Sequence, residues 1–262
     1  AARRLLHRSR PTQVSPRLVS AALCAATLSL AGGADATCER TLYLTFDTGN
    51  MRHAELIATT LARYNAKATF FVANEKTING DHALDDAWAP YWKARVAEGH
   101  AFGSHTWRHG SFRRDEDGRI DYRLADGKID RLDETALCAE IKRPDARFRE
   151  LTGRSLDPLW RAPGGRTTPL TLAAANRCGY RHVGWAAAGF LGDELPSDRY
   201  PNATLVDQAL RKLRDGDVVM AHLGIWSRQD PFAPALDQLL AGLAARGFCF
   251  AAPAPADGKR PR

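Results

Sequence analysis

The sequence predicts an α/β fold built on parallel strands, either a barrel or a wound sheet. Two observations carry this expectation. Short apolar and β-branched runs alternate with amphipathic helical stretches from residue 41 to residue 250. At four strand ends a polar residue follows the apolar run: Asp47, His105, Arg161 and His222. Parallel βα folds gather the C-terminal ends of their strands on one face, which is where they place their chemistry.

The elements follow in order. "TLYLTFD", residues 41–47, is apolar and β-branched up to Asp47, and Gly49-Asn50 then turns the chain. "HAELIATTLARY" comes next, with Leu56, Ile57, Thr60, Leu61 and Tyr64 at helical spacing. "ATFFVA", 68–73, is a second buried strand, and a Trp-rich helix around "DDAWAPYWKARVAEG" leads through Gly99 into a third, "HAFGSH". The helix "ETALCAEIKRPDARFRELTG" ends at Gly153 before "LWRAPGG", and "TPLTLAAANRCGY" feeds "RHVGWAAAG". "LVDQALRKLRDG" precedes "DVVMAHLG", and "ALDQLLAGLAARG" precedes the last strand, "FCFAAP". The polar stretch 113–131 interrupts this rhythm and reads as a solvated surface loop. No linker divides the chain downstream of residue 36, so one domain is expected over residues 37–253, with a frayed Pro- and charge-rich tail at 254–262.

Residues 1–36 read as a signal peptide. Arg3, Arg4, Arg8, Arg10 and Arg17 form a basic region, residues 18–32 an apolar run, and residues 34–36 ("ADA") a small-residue cleavage site. The run is short for a membrane span, and an uncleaved anchor is the rival reading. That segment carries five arginines and one aspartate, so the remainder holds 32 basic and 29 acidic side chains and a net charge of +3 rather than +7. A charge so small gives no reason to expect a nucleic-acid partner. Cys24 falls in the leader and leaves Cys38, Cys138, Cys178 and Cys249, an even number that suits disulfides in an oxidising compartment. Four cysteines allow three pairings.

His105 and His109 are four residues apart, a spacing that on a helical turn points both rings one way and lets them bite one metal ion. Alone, that pattern more often marks two histidines on a solvated turn. Asp47 alone would serve as a helix cap, His222 alone as a hydrogen-bonded core histidine, and "RAPGG" alone as a loop. Their shared place at strand ends favours a site.

In order, "TFDTG" (45–49), "HTWRH" (105–109), "RAPGG" (161–165), "WAAAGFLGDE" (185–194) and "MAH" (220–222) resemble the motifs of the NodB-like polysaccharide deacetylases, carbohydrate esterase family 4. Connecting phrases such as "ATFFVAN" and "AEGHAFGSHTWRH" match as well, so the resemblance runs from about residue 41 to 250. It implies an α/β fold of the distorted (β/α) barrel type. It also implies a metal-dependent hydrolase that breaks a carbon–nitrogen bond outside peptides, the N-acetyl group of a polysaccharide. On this pattern His105 and His109 hold a divalent metal, commonly zinc. Asp47 is the base that activates water, and Arg161 keeps it ionised. The N–H of Gly164 helps stabilise the oxyanion, and His222 is the acid that protonates the leaving amine. Two positions depart from the family. Thr48 stands where a second acid, a metal ligand, belongs; the D-x-x-D-W motif is missing, which leaves Asp193 as the candidate acid that tunes His222. Trp185 reads as a core aromatic.

The expected partner is an N-acetylated glycan (peptidoglycan, a chitin-like polymer or an exopolysaccharide), acted on by an exported enzyme, periplasmic or secreted, with no nucleic acid and no stable membrane insertion after leader cleavage. Two other readings compete: a glycan-binding pseudoenzyme disabled by Thr48, and an amidohydrolase of small molecules. A parallel barrel also makes the first and last strands neighbours. Cys38–Cys249 is therefore one expected disulfide, with Cys138–Cys178 joining consecutive helices as the other.

Overall fold

A computed structural model describes residues 38–254; the expected leader with Cys24 lies outside them, as does all of the expected tail except Ala254. The described residues fall within one compact unit, Thr37–Arg262. The elements run β1 (Arg40–Asp47), α1 (Ala54–Arg63), β2 (Ala68–Val72), α2 (Ala89–Ala97), β3 (Ala101–Ser104), β4 (Ser111–Glu116), β5 (Arg119–Arg123), β6 (Ile129–Leu132), α3 (Glu134–Thr152) and β7 (Leu159–Trp160). They continue α4 (Pro169–Arg177), β8 (Arg181–His182), α5 (Asn202–Lys212), β9 (Val218–His222), α6 (Leu236–Ala244) and β10 (Phe248–Phe250).

Seven strands form one parallel sheet in the order β10-β1-β2-β3-β7-β8, with β9 also pairing β1. β1 holds this together by changing partner along its length. Residues 40–42 pair with β10 and residues 43–47 with β9, while β2 occupies the opposite edge. The curl comes round until the chain after β8 meets β9, but no full ladder closes it. The gap is spanned by a bridge between Phe190 and Met220 and by N–H groups of Ala186 and Leu191 donating to the carbonyls of Val218 (3.1 Å) and Met220 (3.3 Å). The product is a distorted (β/α) barrel, as expected.

Strands buried on both faces need apolar residues throughout, and β2 ("ATFFV") is buried at every position. Helix ends follow local chemistry. Asp133 caps α3 by accepting from the Ala136 N–H, and Gly153 ends the same helix in the left-handed region at φ 80°. Both expected disulfides are present, with Cα–Cα distances of 5.7 Å for Cys38–Cys249 and 5.8 Å for Cys138–Cys178. The first follows from the register that sets Thr41 beside Cys249.

One expectation fails. Residues 113–131 are not a solvated loop but most of a three-stranded antiparallel sheet, β4-β5-β6. Its turn at Asp117-Gly118 has φ of 49° and 71°, the conformation that Asp-Gly hairpins favour. Phe112, Ile120, Tyr122 and Leu132 bury one face against Leu137, Ile141 and Trp160. The other face carries the charge that made the stretch look like a loop.

Candidate active site

The register of the barrel gathers the sequence-predicted residues. Asp47 pairs with His222 across β1 and β9, and Ser104 pairs with Trp160 across β3 and β7, so His105 and Arg161 leave adjacent strand ends. The Arg161 N–H donates to the Ser104 carbonyl at 2.8 Å.

Arg161 is fully buried and makes four side-chain hydrogen bonds inside the barrel. Nη1 donates to Asp47 Oδ1 (2.9 Å) and Thr45 Oγ1 (2.8 Å), Nε to the Val183 carbonyl and Nη2 to the Gly184 carbonyl. Its guanidinium lies 4.2 Å from the centroid of the Phe71 ring. Burial by itself would raise the Asp47 pKa, but the charge of Arg161, with a smaller contribution from His222, outweighs it and holds the carboxyl below its ordinary value. Asp47 is thus kept as a carboxylate.

The opposite arrangement holds at His222. Asp193 Oδ2 accepts the His222 backbone N–H at 2.7 Å, and His222 Nδ1 lies 3.1 Å from Asp193 Oδ1. Burial pushes this imidazole toward neutrality, yet the Asp193 carboxylate, with smaller contributions from Asp47 and Glu194, raises its pKa to about 9. The acid that the degenerate fourth motif left uncertain is therefore in contact with His222.

The two histidines of "HTWRH" are not on a helical turn, which corrects the expectation from their spacing. They flank an irregular loop in which Thr106 and His109 have φ of 65° and 51°. The rings still meet, with centroids 4.8 Å apart. The loop is pinned from beneath by the small sheet and α3. Tyr122 Oη accepts the Gly110 N–H (2.7 Å) and shares a hydrogen bond with Thr106 Oγ1 (3.0 Å). Glu140 accepts from Arg108 Nε (2.5 Å) and Arg108 N (3.1 Å).

His105 Nδ1 donates to the Arg161 carbonyl at 2.9 Å, which leaves the Nε2 lone pair facing Asp47 Oδ2 at 3.5 Å. Burial lowers the His105 pKa to about 4, so the ring is neutral. His109 Nδ1 in turn faces Glu75 Oε1 at 3.5 Å. Among the described residues, no three His, Cys, Asp or Glu side chains are gathered as a formed metal group; these donors stand as two pairs. Their chemistry suits a divalent cation nonetheless. A neutral imidazole lone pair aimed at a carboxylate is repulsive until a cation lies between them, and imidazole with carboxylate is a donor set that zinc accepts.

Glu75 went unnoticed in the sequence. Burial would raise its pKa, but His109 and a hydrogen bond from Thr48 lower it. Its signal was positional: it follows the end of β2, a strand end that had supplied no polar candidate. Gly164 sits in a tight turn after Arg161 at φ 63° and takes part in none of the hydrogen bonds described above. Trp185 packs edge-on over Gly165, leaving no room for a Cβ there. Gly49 is needed for close approach, since a Cβ would fall 2.1 Å from the Gly224 carbonyl oxygen.

A cleft of about 530 Å³ opens over these strand ends, with Gly49, Glu75, His109, Glu194, His222 and Trp226 among the residues lining it. Residues 34–183 match the family model for polysaccharide deacetylase. The chain belongs to that family. Deacetylases of this family hydrolyse carbon–nitrogen bonds other than peptide bonds. The chain is 25% identical over 215 residues to a peptidoglycan-N-acetylglucosamine deacetylase of Bacillus cereus, covering 81% of this chain and 85% of that one. In fold it is similar to a family 4 carbohydrate esterase of Streptomyces lividans in complex with acetate, with a TM-score of 0.63 at 20% identity, covering 85% of this chain and 97% of that one. It is also similar to a family 4 pseudoenzyme of Bacillus anthracis, with a TM-score of 0.60 at 16% identity, covering 80% of this chain and 63% of that one. Fold likeness of this degree leaves turnover to be argued from the site.

Proposed function

We propose that the protein is an exported, metal-dependent N-deacetylase of an N-acetylglucosamine-containing polymer. One observation carries this reading. Asp47 and His222 stand side by side in register, one held ionised by Arg161 and the other held protonated by Asp193. Two neighbouring groups with pKa values driven apart are what hydrolysis of an amide needs: a base for water and an acid for the departing amine. A binding protein would gain nothing from burying a guanidinium to keep a carboxylate charged.

In this scheme Asp47 takes the proton from the attacking water, and Arg161 positions it. His222 gives its proton to the leaving nitrogen, and the Gly164 N–H is the proposed oxyanion donor. His105 and His109 would hold a divalent metal, with zinc the candidate that fits the imidazoles best. When bound, that cation polarises the acetamide carbonyl and lowers the pKa of its water. The exposed Trp226 indole at the cleft edge offers an apolar platform for a sugar ring. Two disulfides fit an exported protein.

Acetate release from chitin oligomers, peptidoglycan and poly-N-acetylglucosamine, with metal analysis of the same samples, tests the reading. Release from at least one polymer that stops on chelation and returns with metal is the expected result. Glycan binding with no acetate released under saturating metal would establish the pseudoenzyme instead.

A further inference from the structure

Thr48 leaves "TFDTG" without its second carboxylate, yet a carboxylate reaches the same spot from the neighbouring strand. Glu75 follows β2, and its Oε2 accepts from Thr48 Oγ1 at 2.5 Å and from the Gly49 N–H at 2.9 Å. Thr48 Oγ1 is itself fixed by accepting the Ala73 N–H at 3.3 Å. These contacts hold one carboxylate oxygen and leave Oε1 toward His109 Nδ1 at 3.5 Å. That distance exceeds an ordinary hydrogen bond. It is close to the edge of a tetrahedron of nitrogen and oxygen donors around zinc, roughly 3.4 Å for bonds of about 2.05 Å. Asp47 is already paired to a buried arginine, whereas Glu75 has imidazoles beside it and its side chain is only 18% exposed.

We propose that Glu75 is the anionic oxygen ligand of the divalent cation, supplied from β2 in place of the acid that position 48 lacks. Thr48 is kept as the donor that aims it. Charge and oxygen donor are thereby conserved in space while moving 27 residues along the chain. The inference rests on the metal-dependent reading above and adds one ligand to it.

The test is zinc affinity of the metal-stripped protein, measured by competition with a chelating dye, together with the visible spectrum of the cobalt-loaded form. Glu75→Gln is expected to weaken zinc binding by more than about 100-fold, beyond what loss of an outer-shell partner costs, and to change the cobalt bands. Thr48→Val, which only releases the aim of Glu75, should cost roughly 10-fold. Thr48→Asp/Glu75→Gln, which returns the carboxylate to position 48, should recover most of the affinity and carries the test if the single variant does not fold. Wild-type affinity and spectrum in folded Glu75→Gln would overturn the proposal, as would a double variant that binds no better than His109→Ala. Wild-type protein binding zinc no better than His105→Ala/His109→Ala would overturn the metal-dependent reading itself.

Discussion

The hydrogen bonds between Asp193 and His222 decide how far into alkaline pH this histidine, the proposed general acid, keeps its proton. With its pKa raised to about 9, His222 is protonated through neutrality, and kcat/KM should fall only as pH rises through about 9. Asp193→Asn removes the charge that raises this pKa, so the alkaline limb should shift toward lower pH, toward the ordinary histidine value of 6.5. A limb that stays in place would remove Asp193 from its positioning role. Stability follows the same sign. Because the folded pKa is raised, the pair's contribution is complete below 6.5 and is lost as pH rises through about 9. At this scale the sequence was informative wherever chemistry demanded a particular residue at a strand end: Asp47, His105, Arg161 and His222 all converge. Glu75 escaped because its partner in the motif, Thr48, is adjacent only in space.

Between residue and molecule, the small β4-β5-β6 sheet acts as a brace for the histidine loop. Its buried Tyr122 hydroxyl holds the Gly110 N–H and Thr106, and a Cβ at Gly110 would fall 2.4 Å from the Tyr122 ring. Tyr122→Phe should leave that N–H unpaired at a cost of roughly 1–3 kcal/mol, seen as a lower denaturant midpoint, and should weaken metal binding without touching a ligand. Unchanged metal affinity would mean the loop keeps its shape without the brace. The sheet was illegible because its exposed face is dense in Arg and Asp, and that density masked the alternation of Phe112, Ile120 and Tyr122. The loop's left-handed residues were equally hidden, since His105 and His109 carry the same spacing as a helical pair. On the far side of the cleft, Trp226 is 60% exposed. Trp226→Ala should raise KM for a polymer more than for a short oligomer, with kcat little changed, as expected for binding shared by ground and transition states.

For the molecule as a whole, β1 sets both the chemistry and the closure, and it does so at opposite ends. Its C-terminal residue is Asp47, while its N-terminal half is tied to the last strand by pairing with β10 and by Cys38–Cys249. This much was legible, because apolar runs in a β-α rhythm admit few topologies and a parallel barrel must bring its first and last strands together. The incomplete seam between β8 and β9 was not legible, since "RHVGWAAAG" has strand-like residues but forms only two ladder positions before it turns. The disulfide encloses a separation of 211 residues, so it removes much freedom from the unfolded chain. Cys38→Ser/Cys249→Ser should therefore lower unfolding stability by about 2–5 kcal/mol, read as a shifted urea midpoint. Because the bridge sits at the end of β1 away from Asp47, zinc affinity and the rate of acetate release at low temperature should stay near wild type. A double variant that keeps its stability would show that strand pairing alone secures the ends. One that folds but loses activity would show that strain at the start of β1 is transmitted along the strand to Asp47.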